Sequence, residues 1–272
     1  MISSELKSDI IQKVIYELAE AWNKSGIDKG DTILIHSSLS GFLRRYRTLE
    51  IPVSPNDVLD SLIMAAGKNG TLIFPTYNFD FTKGITFDIR KTKSETGALS
   101  EAARLHQDSV RTGHPLFSFA VIGYNKNIFE DLCNISAFGK DSPFAKLLQL
   151  NGKIAAIDVA GENCMTFYHH VEEMENAPNR FHKIFRGNYT DIHGMQSERE
   201  FSVYSRKIEE GVETDVKPME EYLWSKKLYS GYRPGEGSCM HVIIAEKVYE
   251  EASAVIKEGR SLGMLYKIKE QI

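Results

Sequence analysis

The stretch DTILIHSSL (residues 31–39) decides the fold. Its apolar, β-branched run, Thr32 to Ile35, has no helical period and stops abruptly at His36, Ser37 and Ser38. That is the pattern of a buried strand handing the chain to a polar, functional loop. Upstream, ELKSDIIQKVIYELAEAW (residues 5–22) sets Ile10, Ile11, Val14, Ile15, Leu18 and Trp22 at helical spacing, and residues 23–30 supply the stop and turn. Downstream, SPNDVLDSLIMAAGKNG (residues 54–70) offers Ser54, Pro55, Asn56 and Asp57 as caps. It carries Val58, Leu59, Leu62, Ile63 and Ala66 on one face and closes at Gly67 or Gly70. A second apolar strand, TLIFPTYNF (residues 71–79), follows at once. Strand, loop, helix, strand is the order of a parallel crossover. The expected fold class is therefore α/β, with a central, mainly parallel sheet flanked by helices.

Further along, residues 80–96 are polar with few periodic apolars and read as a long loop over the body, of a length that is usually functional. Helices are expected at 97–106, 127–133, 142–150 and 166–177, and strands at 117–123 and 152–161. KIFRGNYTD (183–191) and EREFSVYSRK (198–207) alternate apolar and polar residues, which predicts an antiparallel pair late in the chain. Closing helices at 219–232 and 248–263 bracket a strand at 238–245. With no repeat, low-complexity tract or linker, the expectation is one domain over residues 1–272, with a basic insertion at 41–57 and the long loop at 80–96.

The 272 residues, 42% of them hydrophobic, are enough to fill a sizeable core. Cys133, Cys164 and Cys239 are too widely and irregularly spaced for a disulfide framework or a metal site, so a reducing, cytoplasmic setting is expected. No apolar run approaches a membrane span, and residues 1–15 are mixed and charged rather than signal-like. A net charge of -4 argues against a general nucleic-acid surface, which leaves a small molecule as the expected partner.

The chemistry concentrates in TFYHHVEE (residues 166–173). On a helix His169 and Glu172 share a face. A carboxylate beside an imidazole fixes its tautomer and stabilises the imidazolium, as a general base requires. The same residues could bind a metal, but zinc-binding histidines on a helix stand four apart, and His169 and His170 are adjacent. The fragment alone also fits a wet helix end with a self-satisfied His–Glu pair. The turn at His36, Ser37 and Ser38, at the carboxyl end of a strand, offers hydroxyls and backbone N–H groups to a phosphate, or simply caps the next turn.

Six blocks in order, DTILIHSSL (31–39), GTLIFPTYNF (70–79), FDIRKTKSETGALSEAAR (87–104), RTGHPLFSFAVIG (111–123), GKDSPFAKL (139–147) and TFYHHVEE (166–173), resemble the aminoglycoside 3-N-acetyltransferase family, the antibiotic N-acetyltransferase fold. The resemblance implies acetyl-coenzyme A as acyl donor, an amine on an aminoglycoside or related amino sugar as acceptor, and no metal. The family pattern Thr-x-x-His-x-x-Glu falls on Thr166, His169 and Glu172, which implies His169 rather than His170 as the base, Glu172 as its orienter and direct transfer in a ternary complex. For the coenzyme it implies His36, Ser37 and Ser38 at the pyrophosphate, with Thr76, Arg111, His114, Ser118, Ser142 and Phe144 along the pantetheine arm. Tyr77, Glu95 and Glu173 fall on the acceptor side. A homodimer is also expected.

The chain departs from that family where a short turn would follow His-Ser-Ser-Leu: GFLRRYRTLEIPVSPND (residues 41–57) is longer and basic, with Arg44, Arg45 and Arg47 clustered. Such a cluster is a solvated face or a grip on phosphate. The second use would suit coenzyme A or a nucleotide-linked amino sugar of surface-glycan biosynthesis. A binding module that kept the fold and lost turnover, and a metal-dependent hydrolase, are the alternatives from other classes.

Overall fold

The computed structural model of the protein describes residues 4–269. The expected domain's residues 1–3 and 270–272 lie outside the described residues. Helix α1 (Ser4–Lys24) leads into strand β1 (Thr32–Ser37), and α2 (Leu39–Thr48) starts directly behind it. Next come α3 (Pro55–Ala66), β2 (Thr71–Pro75), the short β3 (Phe87–Asp88), α4 (Ala98–Leu105), β4 (Val110–Arg111) and β5 (Phe119–Gly123). The second half runs α5 (Pro143–Gln149), β6 (Lys153–Ile157), α6 (Phe167–Met174), β7 (Arg180–Thr190), β8 (Gln196–Arg206), β9 (Val212–Thr214) and α7 (Lys217–Ser225). It closes with β10 (Ser230–Gly231), β11 (Met240–Ile244), α8 (Ala245–Lys257) and β12 (Tyr266–Ile268).

The main sheet has seven strands in the order β10-β11-β6-β1-β2-β5-β4. Its centre is parallel: β1 pairs with β2 on one side and with β6 on the other. Outside those three, β11, β5, β4 and β10 join antiparallel. Side chains alternate across the sheet, so each strand feeds two cores. Ile33, Ile35, Leu72 and Phe74 pack against α1, α3 and α4, while Leu34, Ile73, Ile154 and Ile243 pack on the side of α5 to α8. Trp22, fully buried, ties α1 to α3 by donating to the Ser61 hydroxyl at 2.8 Å. Of the cap candidates, Ser54 and Asp57 form a capping box at the start of α3: Ser54 accepts from the Asp57 N–H, and the Asp57 carboxylate accepts from the Ser54 N–H.

The late antiparallel region is the β7–β8 hairpin, paired from Arg180↔Arg206 to Thr190↔Gln196. One local expectation changes and two gain detail. Residues 127–133 hold only a 3₁₀ turn, Lys126–Ile128, rather than a helix. The loop at 80–96 is pinned: β3 pairs with β7, and a 3₁₀ turn occupies Asp80–Lys83. The first half of the basic segment is helix α2, whose apolar Leu39 and Phe42 are buried while its arginines stay outside. Among the described residues no helix is long and apolar enough to cross a membrane.

Candidate active site

Because β1 has β2 on one side and β6 on the other, the chain leaves the parallel centre in opposite directions at adjacent strand ends. A crevice opens at such a switch point, beyond the carboxyl ends of the strands. Here it is a cavity of about 590 Å³. His36, Ser37 and Ser38 line it at the end of β1, Pro75 and Tyr77 at the end of β2, and Asn163, Cys164 and Thr166 after β6. Hollows of similar size lie elsewhere, as at Arg111 and Cys133, at about 580 Å³. Volume does not single out the β1 crevice; its chemistry does.

Two helix amino ends open onto this cavity. Ser38 caps α2, with Leu39 and Ser40 on the wall, and Gly97 caps α4, with Ala98 and Ser100 on the wall. The first N–H groups of a helix have no partner inside it and carry the positive end of its dipole, so two such ends facing one space favour an anion there. Gly97 needs its lack of a side chain, since its φ of 108° lies in the left-handed half of the map. The His36 ring is buried, its Nε2 has no partner, and burial together with His241 lowers its pKa to about 4. It is therefore a neutral ring at pH 7. Glu95 reaches the rim on the pinned loop, whose backbone is held by the Glu95 N–H donating to the Tyr77 carbonyl at 2.8 Å.

Helix α6 carries the histidine–carboxylate pair expected from the sequence. Thr166 precedes it, lines the cavity and shares a 2.8 Å hydrogen bond with the Tyr77 hydroxyl. One turn on, the His169 ring is 18% exposed, and its Nδ1 lies 2.9 Å from Glu172 Oε2. With the carboxylate ionised, Nδ1 carries the proton and Nε2 is left as the basic nitrogen. Nε2 makes no hydrogen bond among the described residues. Glu172 is buried at 1% exposure and is held by two further groups: Asn179 Nδ2 donates to Oε1 at 3.1 Å, and Arg180 Nε pairs with Oε2 at 2.6 Å. Burial alone would raise this carboxyl; the hydrogen bond from His169 and the Arg180 charge outweigh it and hold the pKa down to about 2. His169 is shifted below its ordinary value, first by burial and then by the Arg180 charge, against the pull of Glu172. Both the lowered pKa and the Glu172 contact favour a ring whose proton sits on Nδ1.

The other expected site residues lie elsewhere. Thr76, Arg111 and Ser118 come together, but none of them lines the cavity. Arg111 donates to the Ser118 hydroxyl and to the carbonyls of Ile89, Thr92 and Thr76, and stacks on Phe87, so it clamps the 80–96 loop. Thr76 and Ser118 join hydroxyls at 2.9 Å in the same network. His114 and Phe144 are buried: His114 Nδ1 accepts from the Leu116 and Phe117 N–H groups and its Nε2 donates to the Ser202 carbonyl, and Phe144 packs edge-on against Phe119. Ser142 caps α5. Glu173 lies on another side of α6, where it accepts from the Ser136 hydroxyl at 2.8 Å. Arg44 and Arg47 point to solvent, and Arg45 reaches Cys239 and Asp158 instead of the cavity. Sequence reading missed Asn179, Arg180 and the amino end of α4. The signal for the first two was a basic residue just beyond the acidic turn, in NAPNR (residues 176–180).

Among the described residues no three His, Cys, Asp or Glu side chains form a metal-ligand group. An α/β fold with an anion-favouring cavity at its switch point, beside a carboxylate-oriented imidazole on the next helix, is the build of an enzyme that moves protons on a small molecule. The aminoglycoside 3-N-acetyltransferase family profile matches residues 34–257, and the chain belongs to that family of N-acyltransferases. It is similar to aminoglycoside N(3)-acetyltransferase VII of Streptomyces paromomycinus, 26% identical over 226 residues that cover 72% of this chain and 75% of the relative. Aminoglycoside N(3)-acetyltransferase VIII of Streptomyces fradiae is 25% identical over 57% of this chain and 59% of its own. The fold matches that of aminoglycoside acetyltransferase AAC(3)-Xa at a TM-score of 0.75 and 20% identity, covering 94% and 98% of the two chains. It also matches AAC-IIIb in its binary complex with CoASH, at 0.75 and 17% identity over 90% and 96%. A third match is AAC-VIa bound to sisomicin, at 0.76 and 18% identity over 91% and 98%.

Proposed function

We propose that the protein transfers the acetyl group of acetyl-coenzyme A to an amine of an aminoglycoside, with His169 as general base in a ternary complex. The observation that carries this reading is the His169–Glu172 pair, one helical turn from Thr166 at the cavity wall. An ammonium cannot attack a thioester. His169 Nε2 takes a proton from the acceptor amine as its nitrogen bonds to the acetyl carbon, and the carbon–sulfur bond then breaks to release the thiolate, which is protonated to coenzyme A. No acyl-enzyme is needed: Cys164 lines the cavity, but burial pushes its thiol pKa up, the opposite of an activated nucleophile. The amino ends of α2 and α4 suit the pyrophosphate of the donor. The Thr166 hydroxyl, anchored by Tyr77, suits the oxygen of the tetrahedral intermediate. Both curated relatives carry aminoglycoside names, which favours that acceptor over a nucleotide-linked amino sugar. The test is thiol release from acetyl-coenzyme A with a panel of aminoglycosides, wild type against His169→Ala. Turnover that is lost in the variant supports the reading; turnover that survives it removes His169 as base.

A further inference from the structure

The orientation of a base by a carboxylate has an electrostatic side effect. A lone buried carboxylate 2.9 Å from an imidazole favours the imidazolium, which would leave His169 already protonated and useless as a base near neutral pH. Here the carboxylate is not alone. Arg180, the first residue of β7 and itself buried at 7%, sets Nε 2.6 Å from the same Glu172 oxygen that holds His169. The Nε contact is an ion pair without an aligned hydrogen bond, and the guanidinium is held by its other nitrogens: Nη1 donates to the Tyr204 carbonyl at 3.1 Å and Nη2 to the Thr214 hydroxyl at 3.4 Å. Arg180 therefore bridges α6, β8 and β9 and is fixed from three directions. The charged groups that act on His169 are Glu172 from its own helix, Arg180 from β7 and Arg206 from β8, the residue paired with Arg180 across the hairpin.

We propose that Arg180 is a positioning residue for the transfer reaction: it locks Glu172 in the orientation that receives the His169 Nδ1 proton, and cancels that carboxylate's charge so that the imidazole stays neutral and ready. Glu172 supplies the tautomer and Arg180 removes its electrostatic penalty. The two tasks of a dyad carboxylate, aiming the ring and charging it, are thereby separated. A role in folding alone would require only that the ion pair exist; this role requires that it set the protonation of His169.

The experiment is a nitrogen-15 NMR titration of the histidine rings in the full chain, with the His169 signals assigned by their loss in His169→Ala. In Arg180→Gln the His169 midpoint should rise by about one to two pH units, and in Arg180→Lys by less. The acid limb of kcat/KM should move upward in parallel with the midpoint. Arg206→Gln should raise the midpoint by a smaller amount than Arg180→Gln. An unchanged midpoint in Arg180→Gln overturns the proposal. Should that variant fail to fold, Glu172→Gln with Arg180→Gln removes both charges together, and compensation then requires a midpoint near that of wild type; a midpoint well below it, the mark of a carboxylate that Arg180 had left uncompensated, overturns the proposal. The activity limb rests on the reading of His169 as base, whereas the titration does not. Surviving turnover in His169→Ala would sink that reading and leave the claim about Arg180 to be decided by the ring's midpoint.

Discussion

His169 and His170 are neighbours in the chain and opposites in the fold. The His169 ring sits edge-on to Phe138 at 5.2 Å but turns to a polar set, Glu172, Asn179 and Arg180, and among the described residues one of its nitrogens makes no hydrogen bond. The His170 side faces aromatic core: its ring stacks on Phe144 at 6.2 Å, lies near Phe167 and Tyr249, and has Nδ1 2.6 Å from the Phe138 carbonyl. One step along a helix turns a side chain by about 100°, and that rotation alone separates the proposed base from a core residue. The identity of a residue sets what it can do; the face it occupies sets what it does.

The strongest way to break this contrast is to exchange the effects. His169→Ala should lower kcat for thiol release by roughly 10²- to 10⁴-fold, with the far-UV spectrum and melting temperature close to wild type. His170→Ala should do the reverse, keeping measurable turnover per folded molecule while losing about 2–4 kcal/mol in denaturant unfolding, because it opens a hole in the aromatic core. Equal kinetic damage from both variants would sink the distinction. Next in size, Glu172→Ala strands the buried Arg180 without a partner and should cost about 3–5 kcal/mol of stability, read as a lower urea midpoint. A near-neutral result would mean that the ion pair is hydrated.

Acid titration sharpens the comparison from another side. His36, His114 and His241 are all lowered to about 4, chiefly by burial. A group whose pKa is depressed on folding stabilises the fold above its unfolded value and loses that contribution as pH falls through the folded one. Stability should therefore decline from about pH 6.5 to 4 as these rings are forced to charge. It should decline again as pH falls from the ordinary glutamate range to about 2, where Glu172 protonates. A melting temperature flat across both windows would contradict the burial of these groups. The smallest effect belongs to the basic face of α2. Arg44→Ala and Arg47→Ala should change stability by no more than about 0.5 kcal/mol. They should also leave KM for acetyl-coenzyme A unchanged, since neither side chain lines the cavity. A raised KM would restore the phosphate grip.

Much of the scaffold was legible because its signals are local. The apolar run ending at His36, the cap candidates Ser54 and Asp57, the alternation in residues 183–191 and 198–207, and the spacing of His169 and Glu172 are written in neighbouring residues, whose backbone and side-chain preferences act at short range. The 127–133 segment failed as a helix because its few apolars fit a short turn as well as a full one. The helix in the basic segment was not legible because what favours it, the burial of Leu39 and Phe42, is a matter of packing.

The sequence by itself determined the α/β crossover, the late hairpin and the identity of the histidine–carboxylate pair. The tertiary structure alone decided that the turn after β1 and the start of α4 face one cavity, and that Arg111 clamps a loop. It also decided that Arg180 closes on Glu172 from another element. The reason is range. Secondary structure follows from steric and hydrogen-bonding preferences within a few residues, whereas charge compensation and cavity lining depend on groups brought together from distant parts of the chain, whose interaction is strong only once packing has excluded water between them.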